Sequence, residues 1–164
     1  MMLDGVTYVH DGAQSEVTFE NSKSLLALFT KVAGEGPKVA KVEDLPGYSF
    51  NLTSYEWTGV KIIAGEGTAR ISITGAALNG IPVQTDTGIS VGSSRADVVA
   101  DDGKDVFDSN SDGVADQLAL GSRVEPGTNS LSHPGSPGTS FILLVMNENT
   151  VQQIQSPSDD FSDL

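Results

Sequence analysis

The chain has 164 residues, no cysteine and a formal net charge of −13, from 22 acidic against 9 basic residues. This length suits a single domain, and the lack of cysteine excludes disulfides, thiolate metal sites and a cysteine nucleophile. The acidity opposes binding to nucleic acids or anionic membranes, and it favours cations and basic protein surfaces as partners. No apolar run reaches the roughly 18 residues that a membrane span needs. The abrupt start at Met1-Met2-Leu3 is consistent with the loss of a leader from an exported protein.

The first half of the chain predicts one clear helix among short strands. Asn21 or Ser22 can cap the helix, and Gly34 can end it. Its apolar residues fall at helical spacing and form one face for the core: Leu25, Leu28, Phe29 and Val32. Residues 35–50 contain Gly-Pro and Pro-Gly pairs and are predicted to be loop. The predicted strands of this half are Gly5–His10, Glu16–Phe19, Tyr55–Ile63 and Thr68–Thr74.

The second half predicts a similar order of elements. Ser94 and Asp97 have the spacing of a capping box, so a second helix is expected to begin there and to end near Gly103. An acidic loop at 101–116 follows, and a Gly/Pro/Ser-rich loop covers 125–140. Strands are predicted at Leu118–Val124, Phe141–Met146 and Val151–Ile154. The acidic tail Ser156–Leu164 is predicted to be loosely held.

The acidic loop holds the only recognisable candidate for a chemical site. Its oxygen-bearing side chains stand at alternate positions, a glycine takes the sixth position and an aspartate takes the ninth, which is the spacing of a calcium-binding turn. Ala119 occupies the twelfth position, where such loops usually carry a bidentate glutamate, so we expect weak affinity unless Asp101, Asp102 or Asp105 folds back. The opposing interpretation is a plain polar turn. The predicted calcium ligands are Asp108, Asn110, Asp112, the carbonyl of Val114, and Asp116.

A pattern of helix, irregular segment, strand, turn and strand occurs twice, at residues 19–76 and 88–157. A helix with one hairpin buries too little surface alone, whereas two such units can share a sheet. The predicted fold class is therefore α+β. We expect one domain of two helix-plus-β-hairpin units, with a mainly antiparallel sheet and both helices packed on one face.

Three segments also carry a resemblance to known proteins. The segment 88–98, GISVGSSRADV, resembles the start of a helix in small bacterial secreted lipoproteins with tandem helix-plus-hairpin units, of the β-lactamase-inhibitor-protein and small outer-membrane-lipoprotein types. Tyr55–Gly59 and the ending Val151–Pro157 resemble exported proteins of actinobacteria. The resemblance implies an extracellular or envelope-associated, non-catalytic protein that binds another protein or envelope component. The chain itself contains neither the disulfide cysteines of the inhibitors nor a lipid-bearing cysteine.

Two alternatives stay open from the residues alone. One is a secreted hydrolase acting through a pair of carboxylates, whose separation no sequence pattern gives. The other is a structural spacer domain stabilised by calcium. A serine-type triad is not expected, because no G-x-S-x-G turn exists and Ser132-His133-Pro134 is predicted to be an exposed loop.

Overall fold

The computed structural model describes residues 1–44, 46–47 and 49–162. Its central element is one antiparallel sheet of eight strands. Along the chain those strands are β3 (Lys38–Lys41), β4 (Thr53–Trp57), β5 (Val60–Gly65), β6 (Thr68–Ile73), β9 (Lys104–Phe107), β10 (Gln117–Glu125), β11 (Gly138–Asn147) and β12 (Thr150–Asp159). Two small hairpins lie outside it: β1 (Gly5–His10) with β2 (Ala13–Thr18), and β7 (Ala77–Leu78) with β8 (Ile81–Pro82). The helices are α1 (Ser22–Ala33) and α2 (Arg95–Ala100).

The large sheet is built from two meanders joined at their last strands. Helix α1 precedes β3 to β6, and helix α2 precedes β9 to β12. The spatial order is β3-β4-β5-β6-β12-β11-β10-β9, so β6 and β12 meet in the middle and β3 and β9 form the two edges. At the junction Ile154 pairs with Ile73, and Ser156 pairs with Ile71.

One face of the sheet forms the hydrophobic core. Alternate residues of the central strands are fully buried there, because side chains on a strand alternate between faces. Both helices contribute to the same cluster, α1 through Leu25 and Phe29 and α2 through Val98. The core-facing strand residues with the least exposure are Ile62, Ile71, Ile73, Leu118, Leu144, Val151 and Ile154.

The prediction of an α+β fold of two helix-plus-hairpin units is wrong. Each helix is followed by four strands of the large sheet and not by one hairpin, so the fold is mostly β with only two helices in the described chain. Two strands were missed at the edges: β3 lies in the predicted loop 35–50, and β9 lies in the predicted acidic loop. All four residues of each edge strand are exposed, so neither shows the apolar alternation that marks a half-buried strand.

A tight turn divides one of the predicted strands into two. The predicted strand Tyr55–Ile63 is two strands, β4 and β5, connected by Thr58 and Gly59. Gly59 takes a φ of 78°, and a Cβ there would lie 3.0 Å from the Cα of Gly75, so a glycine is needed. Because apolar residues flank this turn on both sides, the sequence reads as one continuous strand.

The starts of both helices were predicted correctly, and the bounds of β6 and β10 were predicted to within one residue. Asn21 caps α1 by accepting a hydrogen bond from the amide of Ser24, and Gly34 ends it in the left-handed conformation. The capping box of Ser94 and Asp97 is present at the start of α2. This helix ends at Ala100, before the predicted Gly103.

Candidate functional site

Because β9 takes up residues 104–107, the acidic loop is reduced to residues 108–116, which connect the edge strand β9 to its neighbour β10. Its end is held by Arg95 of α2, whose Nη2 donates to the carbonyl of Ala115 at 2.6 Å and to that of Glu148 at 3.3 Å. The amide of Asp116 also donates to the carbonyl of Phe107 at 2.8 Å. The loop is therefore anchored at its base, while residues 109–114 are exposed.

Inside the loop, the side-chain oxygens bind the loop's own backbone. Asp108 accepts amide hydrogen bonds through Oδ1 from Ser111 at 2.7 Å and through Oδ2 from Gly113 at 2.8 Å. Asn110 Oδ1 accepts from the amide of Asp112 at 2.9 Å, and Asp112 Oδ1 accepts from the amide of Val114 at 2.8 Å. Such local bonds are characteristic of turns formed by Asp and Asn.

The predicted calcium ligands share this loop, but their carboxylates do not converge. Asp116 faces Ser109, accepting bonds from its amide and its hydroxyl, and these bonds hold the pKa of Asp116 below its ordinary value. Of the candidates to fold back, Asp102 contacts Lys104, Asp101 ends α2, and Asp105 belongs to β9. Among the residues with described positions, no three His, Cys, Asp or Glu side chains are grouped closely enough to hold a metal ion.

A second candidate surface is the sheet face opposite the core, here called the outer face. On its central strands, half-buried side chains lie opposite one another across neighbouring strands. Leu143 pairs with Gln155, Val145 pairs with Gln153, and Gln155 also pairs with Ser72. Both helices pack into the core, so within the described ranges the outer face has no helical layer. A groove of about 310 Å³ crosses it between β5, β6 and β12. Its polar lining includes Lys61, Arg70, Gln153 and Gln155.

A third cluster was missed by sequence reasoning. Asp160 lies against the loop that contains Ser132 and His133, which the sequence showed without any acidic partner. Its Oδ2 accepts from the hydroxyls of Ser130 at 2.6 Å and Ser132 at 3.1 Å, and its Oδ1 accepts from the amide of Thr139 at 2.6 Å. The tail was predicted to be loosely held, but β12 extends to Asp159, and Asp160 is anchored. Residues 163 and 164 of that tail lie outside the described residues.

This cluster has the residue types of a hydrolytic triad but a different order. Ser132 Oγ lies 3.0 Å from His133 Nδ1 and 3.1 Å from Asp160, so the serine is in the middle and the histidine is not. A triad needs the histidine between the serine and the acid, because it carries the proton from the nucleophile. Partial burial acts to raise the pKa of Asp160, but the hydrogen bonds from Ser130, Thr139 and Ser132 outweigh it, and the pKa lies below its ordinary value. The geometry therefore suits a structural anchor.

The pKa values of Glu125, Asp97 and Asp44 are also lowered. The hydroxyl of Ser140 is the main cause that holds the pKa of Glu125 down, and the hydroxyl of Ser94 has that effect on Asp97. The pKa of Asp44 is lowered chiefly by the amide of Phe50. A carboxylate general acid needs a raised pKa. These groups are thus tuned to stay ionised.

Comparisons with protein-family models, curated proteins and solved structures found no match for this chain. Neither helix, in the part of the chain that the structure describes, has the length and apolarity needed to cross a membrane. Any assignment of function therefore depends on the geometry of the acidic loop, the outer face and the Asp160 cluster.

Proposed function

We propose that this chain is an exported, non-catalytic protein of the extracellular space or cell envelope that binds another protein through its outer face. The observation that carries the proposal is that neither helix covers this face of the eight-stranded sheet. It combines half-buried Leu143 and Val145 with the amides of Gln117, Gln153 and Gln155. Apolar groups next to hydrogen-bonding groups are what the centre of a protein interface requires. The groove across it can accept a protruding loop of the partner.

The net charge of the chain also supports binding to another protein. A net charge of −13 attracts a partner with a basic surface and increases the rate of encounter. The resemblance of segment 88–98 to secreted lipoprotein-type proteins supports export. The lowered pKa values of Asp160 and Glu125 argue against either group as the general acid of a carboxylate-dependent hydrolase.

Calcium binding at the acidic loop is part of this proposal. Asp108, Asn110, Asp112 and Asp116 would supply side-chain oxygens, and Val114 its carbonyl, once the exposed loop rearranges so that these groups converge on the ion. Each oxygen that accepts one amide bond retains a second lone pair for a cation. The loop lies at the edge of the sheet beside β9, so an ion there would pin the loop. The same feature also favours the second candidate function, a calcium-stabilised structural spacer.

Capture from cell-envelope extracts, over a series of salt concentrations, tests the binding proposal. The double variant Gln117→Arg with Gln155→Arg adds two cations to the outer face, and we expect it to lose the partner that the unchanged protein retains. The matched control is Ala27→Arg with Thr30→Arg, which adds the same charge on exposed positions of α1. Equal loss in both variants would mean a charge effect, and the absence of a specific partner at every salt concentration would contradict the proposal.

A further inference from the structure

The two edge strands of the large sheet match each other and are both open. All four residues of β3 and all four of β9 are exposed. Within residues 1–44, 46–47 and 49–162, each of these strands pairs with one neighbour only, and its other edge pairs with no strand. Each presents apolar side chains to solvent: Val39 is 58% exposed and Phe107 is 54% exposed. Open edges with exposed apolar residues are templates for pairing with another chain.

The backbone of β3 has groups available for such pairing. Val42 donates its amide to Leu52, so this pair is hydrogen-bonded within the sheet. Hydrogen-bonded and non-hydrogen-bonded pairs alternate along an antiparallel ladder. Counting back from Val42, Ala40 and Lys38 also bond to β4, whereas the backbone groups of Val39 and Lys41 point away from it.

Strand direction and face allow the edges of two copies to join. Eight antiparallel strands leave β3 and β9 running in opposite directions, so a second copy placed beside the first presents an antiparallel neighbour. Lys41 pairs with Thr53, which lies opposite the buried Ala64, so Lys41 is on the core side of its edge. Asp105 pairs with the fully buried Leu118 and is on the core side of the other edge.

Charge selects this pairing over symmetric ones. β3 carries Lys38 and Lys41 and no acid, so a pair of β3 strands would bring four lysines together with no acid of either strand to neutralise them. β9 contains Asp105, and Asp102 and Asp108 flank it, against the single Lys104. The ion pair of Lys41 with Asp44 is exposed and therefore weak enough to exchange.

From this we infer that the chain associates with copies of itself head to tail, with β3 of one copy paired to β9 of the next. Lys41 then lies beside Asp105 on the core side. On the outer side the small Ala40 lies beside Phe107. Val106 has no partner on β10 and forms a bulge, which brings Phe107 to the outer face. The contact is short and therefore weak, and it does not depend on the function proposed above.

Sedimentation velocity over a concentration series up to about 1 mM tests this inference, because the weakest specific contacts are detected in that range. Salt at about 0.15 M screens the general repulsion between acidic copies. The average mass of the unchanged protein is expected to rise with concentration. Lys41→Glu and Asp105→Lys should each weaken association by about tenfold or more, since each places like charges in contact.

An equimolar mixture of the two variants tests whether positions 41 and 105 contact each other. Glu at 41 of one variant meets Lys at 105 of the other, and the remaining edges keep the original pair, so association should return to the level of the unchanged protein. Lys23→Glu and Glu16→Lys are exposed charge-matched controls away from both edges and should leave it unaltered. A protein that stays monomeric at about 1 mM, controls that weaken association equally, or a mixture that stays monomeric would each overturn the inference.

Discussion

Replacement of Asp160 by asparagine should destabilise the protein at neutral pH. The carboxylate accepts three hydrogen bonds, two of them at 2.6 Å, from Ser130 and from the amide of Thr139. Asparagine keeps one acceptor and turns the other into a donor, while Ser130 is only 5% exposed. Hydrogen bonds to charged groups contribute about 1.5 to 3 kcal/mol and neutral ones about 0.5 to 1.5. Since Asp160 is only partly buried and solvent screens it, we expect a loss of about 2 kcal/mol.

The pH dependence of this loss gives the sharper test. The pKa of Asp160 is lower in the folded chain than its ordinary value. Its contribution to stability is therefore complete above the unfolded pKa and disappears as the pH falls through the folded pKa. A protonated carboxyl group has one acceptor and one donor, as asparagine does. The two proteins should thus become equally stable in acid.

Thermal and urea unfolding measure both effects. A loss of about 2 kcal/mol corresponds to a decrease in Tm of about 4 to 8 °C for a chain of this size. Asp11→Asn is the control, because it removes the same charge from a side chain that is 90% exposed at the tip of a hairpin. An Asp160→Asn variant that is as stable as this control at pH 7 would show that the carboxylate does not stabilise the fold. A difference in stability that does not narrow as the pH falls below about 4 would also contradict the role of the carboxylate.

Three further predictions concern the core and the loop. Ile154→Ala should cost about 3 to 4 kcal/mol in urea unfolding, because it empties a fully buried position beside the junction of the two meanders; a loss below about 1 kcal/mol would place this strand outside the core. Fluorescence of Trp57, the single tryptophan, should shift to longer wavelength together with the circular-dichroism transition, since it is buried and hydrogen-bonded to the carbonyl of Glu35; two separate transitions would show independent halves. Millimolar calcium should raise Tm by a few degrees in the unchanged protein and not in Asp108→Asn with Asp112→Asn; an equal shift in both would contradict binding at the loop.

The elements that the sequence predicts correctly share a local signal. The start of α1 depends on Asn21 and its end on Gly34, and these residues act within one turn of their own position. The hairpin between β5 and β6 is similarly local, because Glu66 and Gly67 both take positive φ and form its two-residue turn. Such features can be predicted without knowledge of the rest of the fold.

The edges of the sheet could not be predicted by pattern. β3 and β9 are held by backbone pairing to β4 and β10, and all their side chains are exposed, including Val39 and Phe107. Hydrophobic periodicity is produced by burial, so a strand that buries nothing has no periodicity to detect. Because β3 and β9 were missing from the prediction, the chain was expected to form helix-plus-hairpin units and not one wide sheet.

The candidate sites also combine local features, which the sequence can indicate, with contacts between distant residues, which it cannot. The turns at Asp108 to Gly113 are a local feature, because Asp and Asn accept hydrogen bonds from nearby amides. Contact between Asp160 and Ser132 spans 28 residues and arises only because β12 runs beside β11. No local pattern in the sequence marks a contact set by strand pairing at that distance.

Binding at the outer face is tested most directly by site-specific photo-crosslinking in envelope extracts. A photoreactive residue at Gln155 lies in the groove of the outer face, and one at Thr30 lies on the exposed side of α1. If the outer face binds a partner, position 155 gives a discrete crosslinked product that unlabelled protein competes away, and position 30 gives none. A product from position 30 alone, or none from either position, would contradict it.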